Sequence, residues 1–156
     1  DVPAGVPVEV RAHRAGFANQ PISKHRNDGL ALHNGYIAAA IRCAPPDNKP
    51  LPSEIRNCRP FLEAEMNILR PRAVLALGKI AFDSYLALLA EQGKIRSRAP
   101  FPFGHGVSHQ LSAALPRLFA AYHPSQQNTL TGRLTPAMLL RVLRQVWRYL
   151  SSGDRA

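Results

Sequence analysis

The chain has 156 residues and a mass of 17.1 kDa, enough for one domain with a hydrophobic core and too little for two. Hydrophobic residues make up 46% and charged residues 19%, which is the composition of a globular protein rather than a disordered one. The longest apolar runs, such as residues 86–90, are far shorter than the roughly 18 residues that span a bilayer, which argues against a membrane protein.

The N-terminus and the cysteines indicate a compartment. The first residue is Asp1 rather than Met, and no charged and then apolar leader follows it, so we expect upstream sequence or processing. Two cysteines, Cys43 and Cys58, are too few to stabilise a small secreted domain. The sequence therefore predicts a reducing cytoplasm.

The distribution of charge points to a class of partner. Twenty Lys and Arg against ten Asp and Glu give a net charge of +10. Residues 1–91 hold eleven of these bases and nine acids, whereas residues 92–153 hold eight bases and no acid. Such a stretch builds a positive field, for which a nucleic acid is the natural partner. A basic surface that serves only solubility is the alternative.

The first half of the chain mixes helical, irregular and strand-like patterns. It predicts, in order, a short helix over residues 8–17 that stops at Gly16, irregular structure over 19–35, a buried strand over 36–41, a proline-rich extended loop to residue 52, and a helix over 53–69. In the last of these, Ser53 is the expected cap, and Pro60 should kink or restart the helix.

The second half alternates strands and helices more regularly. It predicts, in order, a buried strand over residues 73–77, a helix over 79–92, a loop over 93–106, a strand over 118–122, a polar loop from His123, and a helix over 135–150. Strands that are apolar on both faces and separated by helices indicate a parallel sheet covered on both sides. The predicted fold class is α/β, with three strands visible in this chain.

Ligands of such sheets bind beyond the carboxyl ends of the strands. Three loops leave those ends here: residues 42–52, the turn at Gly78 and residues 123–135. The third combines His123 with Ser, Thr, Asn and Gln side chains and Arg133, and it contains no acid. Such side chains contact phosphates, and a histidine can donate a proton or stabilise charge. A polar surface loop whose histidine caps a neighbouring backbone group is the alternative.

Two further features stay open on their residue patterns alone. Cys43 and Cys58 are interpreted first as two buried thiols, because a metal or iron–sulfur site needs four ligands. Residues 101–106 are typical of an ordinary turn, or of a backbone that approaches a ligand closely at Gly104 and Gly106.

Several segments together carry a resemblance to one family. They are RCAPPDNKP at residues 42–50, CRPFL at 58–62, VLALG at 74–78, FGHG at 103–106, HRAGFANQP at 13–21 and, most specifically, HPSQQNTLTGRLT at 123–135. In these segments the chain resembles the iron–sulfur uracil-DNA glycosylases, and in particular their type B, or family 5, branch. The resemblance covers nearly the whole chain.

This resemblance implies a fold, a cofactor and an activity. The implied fold is a single domain over residues 1–156, a three-layer α/β/α sandwich around a parallel sheet that has four strands in the family. The implied cofactor is a [4Fe–4S] cluster, with Cys43 and Cys58 as its third and fourth ligands. The implied activity is the removal of uracil, with other deaminated bases as further candidates, from DNA. The implied protein is a monomer in the bacterial or archaeal cytoplasm, associated with the nucleoid.

The resemblance also assigns individual site residues. His123 is the implied catalytic residue, which faces the uracil carbonyl. The implied DNA-binding and substrate-binding residues are Pro124, Ser125, Gln126, Gln127, Asn128, Arg133, Gly104 and His105. No carboxylate is assigned to water activation, since Asp47 is the only acid expected at that edge.

The chain departs from the family pattern in two ways. Family members carry a further N-terminal region with two more cysteines, the first strand and a Gly-Pro-rich loop, and that region would end where this chain starts. Ala39 stands where some related enzymes have an asparagine that contacts the uracil edge. A truncated enzyme is therefore expected, with a non-catalytic basic DNA-binding remnant and an α/β protein of incidental charge as alternatives.

The expected missing strand makes a prediction about the sheet. It would lie between residues 36–41 and 73–77, so these two segments should not pair with each other. Residues 73–77 should instead pair in parallel with 118–122. Cys43 and Cys58 should approach one another, and the His123 loop should lie at the same sheet edge as Pro45 and Pro46.

Overall fold

The computed structural model describes residues 8–43, 47 and 49–153, with side chains from residue 11 onward. Its elements in chain order are α1 (Val8–Arg14), α2 (Pro52–Leu69), β1 (Ala73–Leu77), α3 (Lys79–Glu91), β2 (Ser108–Gln110), β3 (Arg117–Ala121), α4 (Gln126–Leu130) and α5 (Pro136–Ser152).

The described sheet has the strand order β1–β3–β2. Strands β1 and β3 run parallel, with Ala73 opposite Arg117 and Leu77 opposite Ala121, as the sequence predicts to within one residue. Strand β2 pairs antiparallel with the other side of β3. It was not predicted, because three polar residues in a loop rich in Gly and Pro carry no strand pattern.

The two faces of the sheet are covered by different helices, because neighbouring strand residues point to opposite sides. Leu118 and Ala120 pack with α3 side chains such as Phe82. Phe119 and Ala121 pack with α1 and α5. The protein is therefore a three-layer α/β/α sandwich with a mostly parallel sheet, which confirms the predicted fold class.

The prediction of a buried strand at residues 36–41 is wrong. The segment forms no strand, and Tyr36 and Ile37 are 59% and 68% exposed. An apolar run becomes a strand only where a neighbour pairs its backbone groups, and this segment has no such neighbour among the described residues. The Tyr36 hydroxyl instead donates to Glu65 Oε1 on α2 at 3.0 Å. As expected, the segment does not pair with β1, which forms one edge of the described sheet.

Helix α2 also departs from its predicted boundary. Its N-cap is Leu51 rather than Ser53. The N–H groups of the first helical turn have no partner within the helix, so Pro52, which lacks an N–H, suits the first helical position. The Glu54 carboxylate accepts the Leu51 N–H at 2.7 Å. Pro60 lies inside the helix and neither ends nor restarts it, and Arg70 ends the helix in a left-handed conformation. None of the helices among the described residues is long and apolar enough to cross a membrane.

Candidate active site

The carboxyl ends of β1 and β3 meet at Gly78 and His123. The Gly78 N–H donates to the Ala121 carbonyl at 2.8 Å, which extends the pairing of the two strands by one residue. Gly78 has φ +95°, and a Cβ there would lie 3.0 Å from the Cβ of His123. Glycine is needed here for both its backbone angle and its lack of a side chain. Two of the three loops expected at this edge thus come together.

The His123 loop is held by its own polar side chains. The Ser125 hydroxyl caps α4 by accepting the Asn128 N–H at 3.4 Å. The Asn128 side-chain amide donates to the His123 carbonyl at 2.9 Å, and the Asn128 backbone carbonyl accepts the Leu134 N–H at 2.9 Å. Ser125 and Asn128 therefore give the loop its shape, whatever they contact beyond it.

Other residues of this loop face outward. His123, Gln126 and Gln127 are exposed, and Pro124 is half-buried. The short helix α4 was not predicted, although serine, here Ser125, is a preferred residue at the N-cap of a helix. The exposed side chains can reach a ligand that approaches the carboxyl edge of the sheet.

Arg133 closes the loop against its first residues. Its guanidinium lies over the Tyr122 ring, 4.7 Å from the ring centroid. The next residue, Leu134, is fully buried in the core that includes α5. The cation–π contact and this buried anchor bring the two ends of the loop together.

The FGHG segment packs beneath the start of the loop. His105 Nδ1 accepts the Tyr122 N–H at 3.1 Å, and the two rings lie 5.0 Å apart. A Cβ on Gly104 would lie 3.1 Å from the Val107 side chain. These contacts are with the protein itself, and they show where Gly104 and His105 lie relative to the predicted DNA-binding loop.

The two cysteines approach one another, as expected. Cys43 is exposed and Cys58 is buried on α2, and neither is in a disulfide. Cys58 Sγ accepts the Arg42 N–H at 3.4 Å. Partial desolvation and then the nearby charges of Glu54 and Cys58 raise the pKa of the Cys43 thiol, which also shares a hydrogen bond with Cys58.

This thiol pair suits one half of an iron–sulfur site. Thiolates are the ligands that such clusters use, but a [4Fe–4S] cluster needs four, and the chain has two cysteines. Over the described part of the chain, no group of three or more His, Cys, Asp or Glu residues could hold a metal ion. Asp47 is exposed, whereas Pro45 and Pro46 lie outside the described residues, as does their predicted proximity to the His123 loop.

The acid-free part of the chain presents its charge to solvent. All of its bases except Arg117 are exposed, and they are Lys94, Arg96, Arg98, Arg133, Arg141, Arg144 and Arg148. Arg117 is half-buried and bonds the Ser108 hydroxyl. The charge of Arg141 acts on the His105 ring, so the start of α5 contributes positive charge beside the His123 loop.

Comparison with known proteins identifies relatives of this chain. Residues 11–150 match the uracil DNA glycosylase superfamily. The chain is 45% identical over 135 residues to a type-5 uracil-DNA glycosylase of Mycobacterium bovis. The aligned residues cover 85% of this chain and 48% of that protein. It is 44% identical over 137 residues to the type-5 uracil-DNA glycosylase of Thermus thermophilus, and these residues cover 87% of this chain and 59% of that protein.

An archaeal relative shows the same pattern. The type-5 uracil-DNA glycosylase of Pyrobaculum aerophilum is 42% identical over 130 residues, covering 83% of this chain and 54% of that protein. The chain thus spans about half the length of the curated relatives it matches.

The contact between Gly78 and His123 makes a direct prediction. Gly78→Ala should displace His123, because the new methyl group would lie 3.0 Å from the His123 Cβ. Gly93→Ala is the matched control, since Gly93 also has a positive φ but its Cβ would meet nothing within 4 Å. Both variants should lose unfolding free energy from backbone strain, about 1–2 kcal/mol for Gly93→Ala and about 1–3 kcal/mol for Gly78→Ala, whose φ of 95° and ψ of 162° are essentially restricted to glycine.

Only Gly78→Ala should shift the NMR resonances of the His123 ring and of the Asn128 side chain. Equal shifts in the two variants, or none in Gly78→Ala, would show that the close approach does not position His123.

Proposed function

The chain belongs to the uracil-DNA glycosylase superfamily, and from this premise we propose that its protein hydrolyses the N-glycosidic bond of uracil in DNA as a type-5 enzyme. The observation that carries the proposal is the placement of His123. It stands exposed where two parallel strands end, on the loop through which the chain most specifically resembles this branch. Other deaminated bases are further candidate substrates in this proposal.

The reaction begins with extrusion of the base. A uracil inside a duplex must leave the stack and enter a pocket, at a cost of a few kcal/mol. The bond between the sugar C1′ and the uracil N1 then breaks, which leaves oxocarbenium character on the sugar and negative charge on uracil. Water adds its oxygen to C1′, and the departing uracil takes up a proton.

His123 stabilises the charge on the leaving base. A donor that is already in place when charge develops on the uracil oxygen lowers the barrier more than one that must reorganise. The site meets this requirement at the backbone: Asn128 holds the His123 carbonyl, and Gly78 packs against the His123 Cβ. The ring itself is left exposed.

The product in this proposal is an abasic site in an intact strand. Cleavage of the DNA strand by such enzymes would need an amine nucleophile. The lysine beside the site is Lys79, which directly follows Gly78. Its ammonium is bound to the Asp83 carboxylate at 2.6 Å. Residues 123–135 contain no lysine, which supports a monofunctional glycosylase.

The basic surface supplies the attraction to DNA. The exposed bases of residues 92–153, which include Arg141 near the loop, neutralise DNA phosphates. Gln126 and Gln127 are exposed on the loop and contact the DNA strand. We place the protein in the cytoplasm with the nucleoid, as a monomer. A non-catalytic DNA-binding remnant is the alternative function, since the same surface would bind DNA without excision.

The iron–sulfur cluster and the fourth strand also belong to this proposal. Cys43 and Cys58 supply two cluster ligands, and a region that precedes residue 1 in the whole protein supplies the other two, with a strand beside β1. The exposure of residues 36–39 and the edge of β1, which pairs with no strand of the described part of the chain, support this assignment. Cys43 and Cys58 would hold the cluster, which would join the segments around the two cysteines.

Replacing His123 tests the activity. His123→Ala should lower the single-turnover rate of uracil release from DNA by roughly 10²–10³-fold, the loss expected for one preorganised donor. His33→Ala is the control, because His33 is an exposed histidine on the irregular segment. Affinity for uracil-containing DNA should stay the same in both variants.

The products are measured by mass spectrometry of the base and by alkali treatment of the strand. An unchanged rate in His123→Ala rejects the role of His123. Binding without any uracil release from the wild-type protein supports the non-catalytic alternative.

The salt dependence of binding tests the basic surface. Log affinity for DNA should fall linearly with log salt concentration, and Arg141→Gln should reduce the slope by about one because one phosphate contact is lost. Arg56→Gln on α2 is the matched control, since Arg56 is exposed in the half of the chain where acids balance bases. A slope near zero in the wild-type protein would mean that the charge is incidental.

Replacing the cysteines tests the cluster. Whole protein should show broad visible absorbance, which Cys43→Ser or Cys58→Ser should weaken. The 156 residues alone should hold no intact cluster, because two of four thiolates are present. A fully loaded cluster in the 156 residues would contradict this ligand assignment.

A further inference from the structure

His105 links two parts of the molecule at the base of the His123 loop. It lies in the FGHG segment, which precedes β2, and its Nδ1 accepts the N–H of Tyr122, the first residue after β3. Tyr122 is the residue directly before His123, so this contact lies one peptide unit from the proposed catalytic residue.

The hydrogen bond from Tyr122 defines one form of the ring. A nitrogen that accepts an N–H carries no proton, so Nδ1 is unprotonated and the proton of the neutral ring lies on Nε2. Burial and then the charge of Arg141 lower the pKa of His105, while the backbone of Met138 raises it.

The same residue supports the closure of the loop. The Tyr122 ring lies 5.0 Å from the His105 ring and carries the Arg133 guanidinium over it at 4.7 Å. Movement of the Tyr122 backbone would therefore disturb both the start of the loop and its closure by Arg133.

We propose that His105 is a positioning residue, which fixes the Tyr122 backbone through Nδ1 and so sets the direction in which the chain enters His123. This role differs from the DNA contact that the resemblance implies for His105, because the ring nitrogen Nδ1 is used inside the protein. Its effect on excision rests on the proposed function, whereas its effect on the Tyr122 backbone does not.

Two substitutions test the hydrogen bond to Tyr122. His105→Asn places an amide oxygen near the position of Nδ1 and can keep the bond to Tyr122. His105→Gln places its amide near the position of Nε2 and loses the bond to Tyr122. His109→Gln is the control, because His109 lies on β2 and its Nε2 bonds the Pro102 carbonyl in the preceding loop rather than Tyr122.

Hydrogen exchange of the Tyr122 amide gives the readout that does not depend on activity. The Ala120 amide, which bonds the Val107 carbonyl at 3.0 Å, is the internal reference for global stability. Relative to Ala120, Tyr122 should lose protection in His105→Gln and keep it in His105→Asn. The single-turnover rate of uracil release should fall about 10–100-fold in His105→Gln, as expected for a misplaced catalytic group. His105→Asn should keep most of the rate.

The outcomes are distinct. Unchanged Tyr122 protection in His105→Gln overturns the proposal. Equal loss of rate in both variants with intact Tyr122 protection also overturns it and assigns His105 to DNA contact. If the wild-type protein releases no uracil, the proposed function fails, and the Tyr122 comparison alone decides the role of His105.

Discussion

The close approach of Gly78 to His123 constrains the position of the whole candidate site. It exists because β1 and β3 are adjacent and parallel, so that both chains leave the sheet at the same edge. The Gly78 N–H reaches the Ala121 carbonyl, and the absence of a Cβ lets the His123 backbone cross directly above the turn. A side chain at position 78 would push the histidine away from this edge.

Around this contact the loop is stabilised by short local interactions. Ser125 and Asn128 hold its first turn, Arg133 closes it over Tyr122, and Leu134 anchors it in the core. His105 supports it from below. The backbone that carries the exposed side chains is thereby held in place, which preorganised catalysis requires.

The sequence predicted those elements whose hydrophobic pattern indicates their secondary structure without reference to a pairing partner. The apolar runs of β1 and β3 and the amphipathic pattern of α5 each indicate the element directly, and α5 begins at Pro136, one residue after its predicted start. Residues 36–41 carry the same apolar signal but form no strand, because a strand also needs a partner. Strand β2 shows the reverse, since its three residues pair with β3 without any apolar pattern.

The sequence placed the candidate residues in one loop but did not separate those that hold the loop from those that face outward. The pattern of residues 123–135 singled out His123 and the polar side chains around it. It could not separate Ser125 and Asn128, which hold the loop, from Gln126 and Gln127, which face outward, because all four are polar. The contact between His105 and Tyr122 joins residues 17 positions apart and has no sequence signal.

The central claim is that the His123 ring meets the extruded uracil. The most direct test is NMR of the histidine rings in the protein bound to DNA that contains one 2′-fluorodeoxyuridine, whose glycosidic bond resists cleavage. We predict that the His123 resonances shift with this DNA and not with the same sequence containing thymidine, while His33 is unaffected by the exchange. Identical His123 spectra in the two complexes would contradict the account.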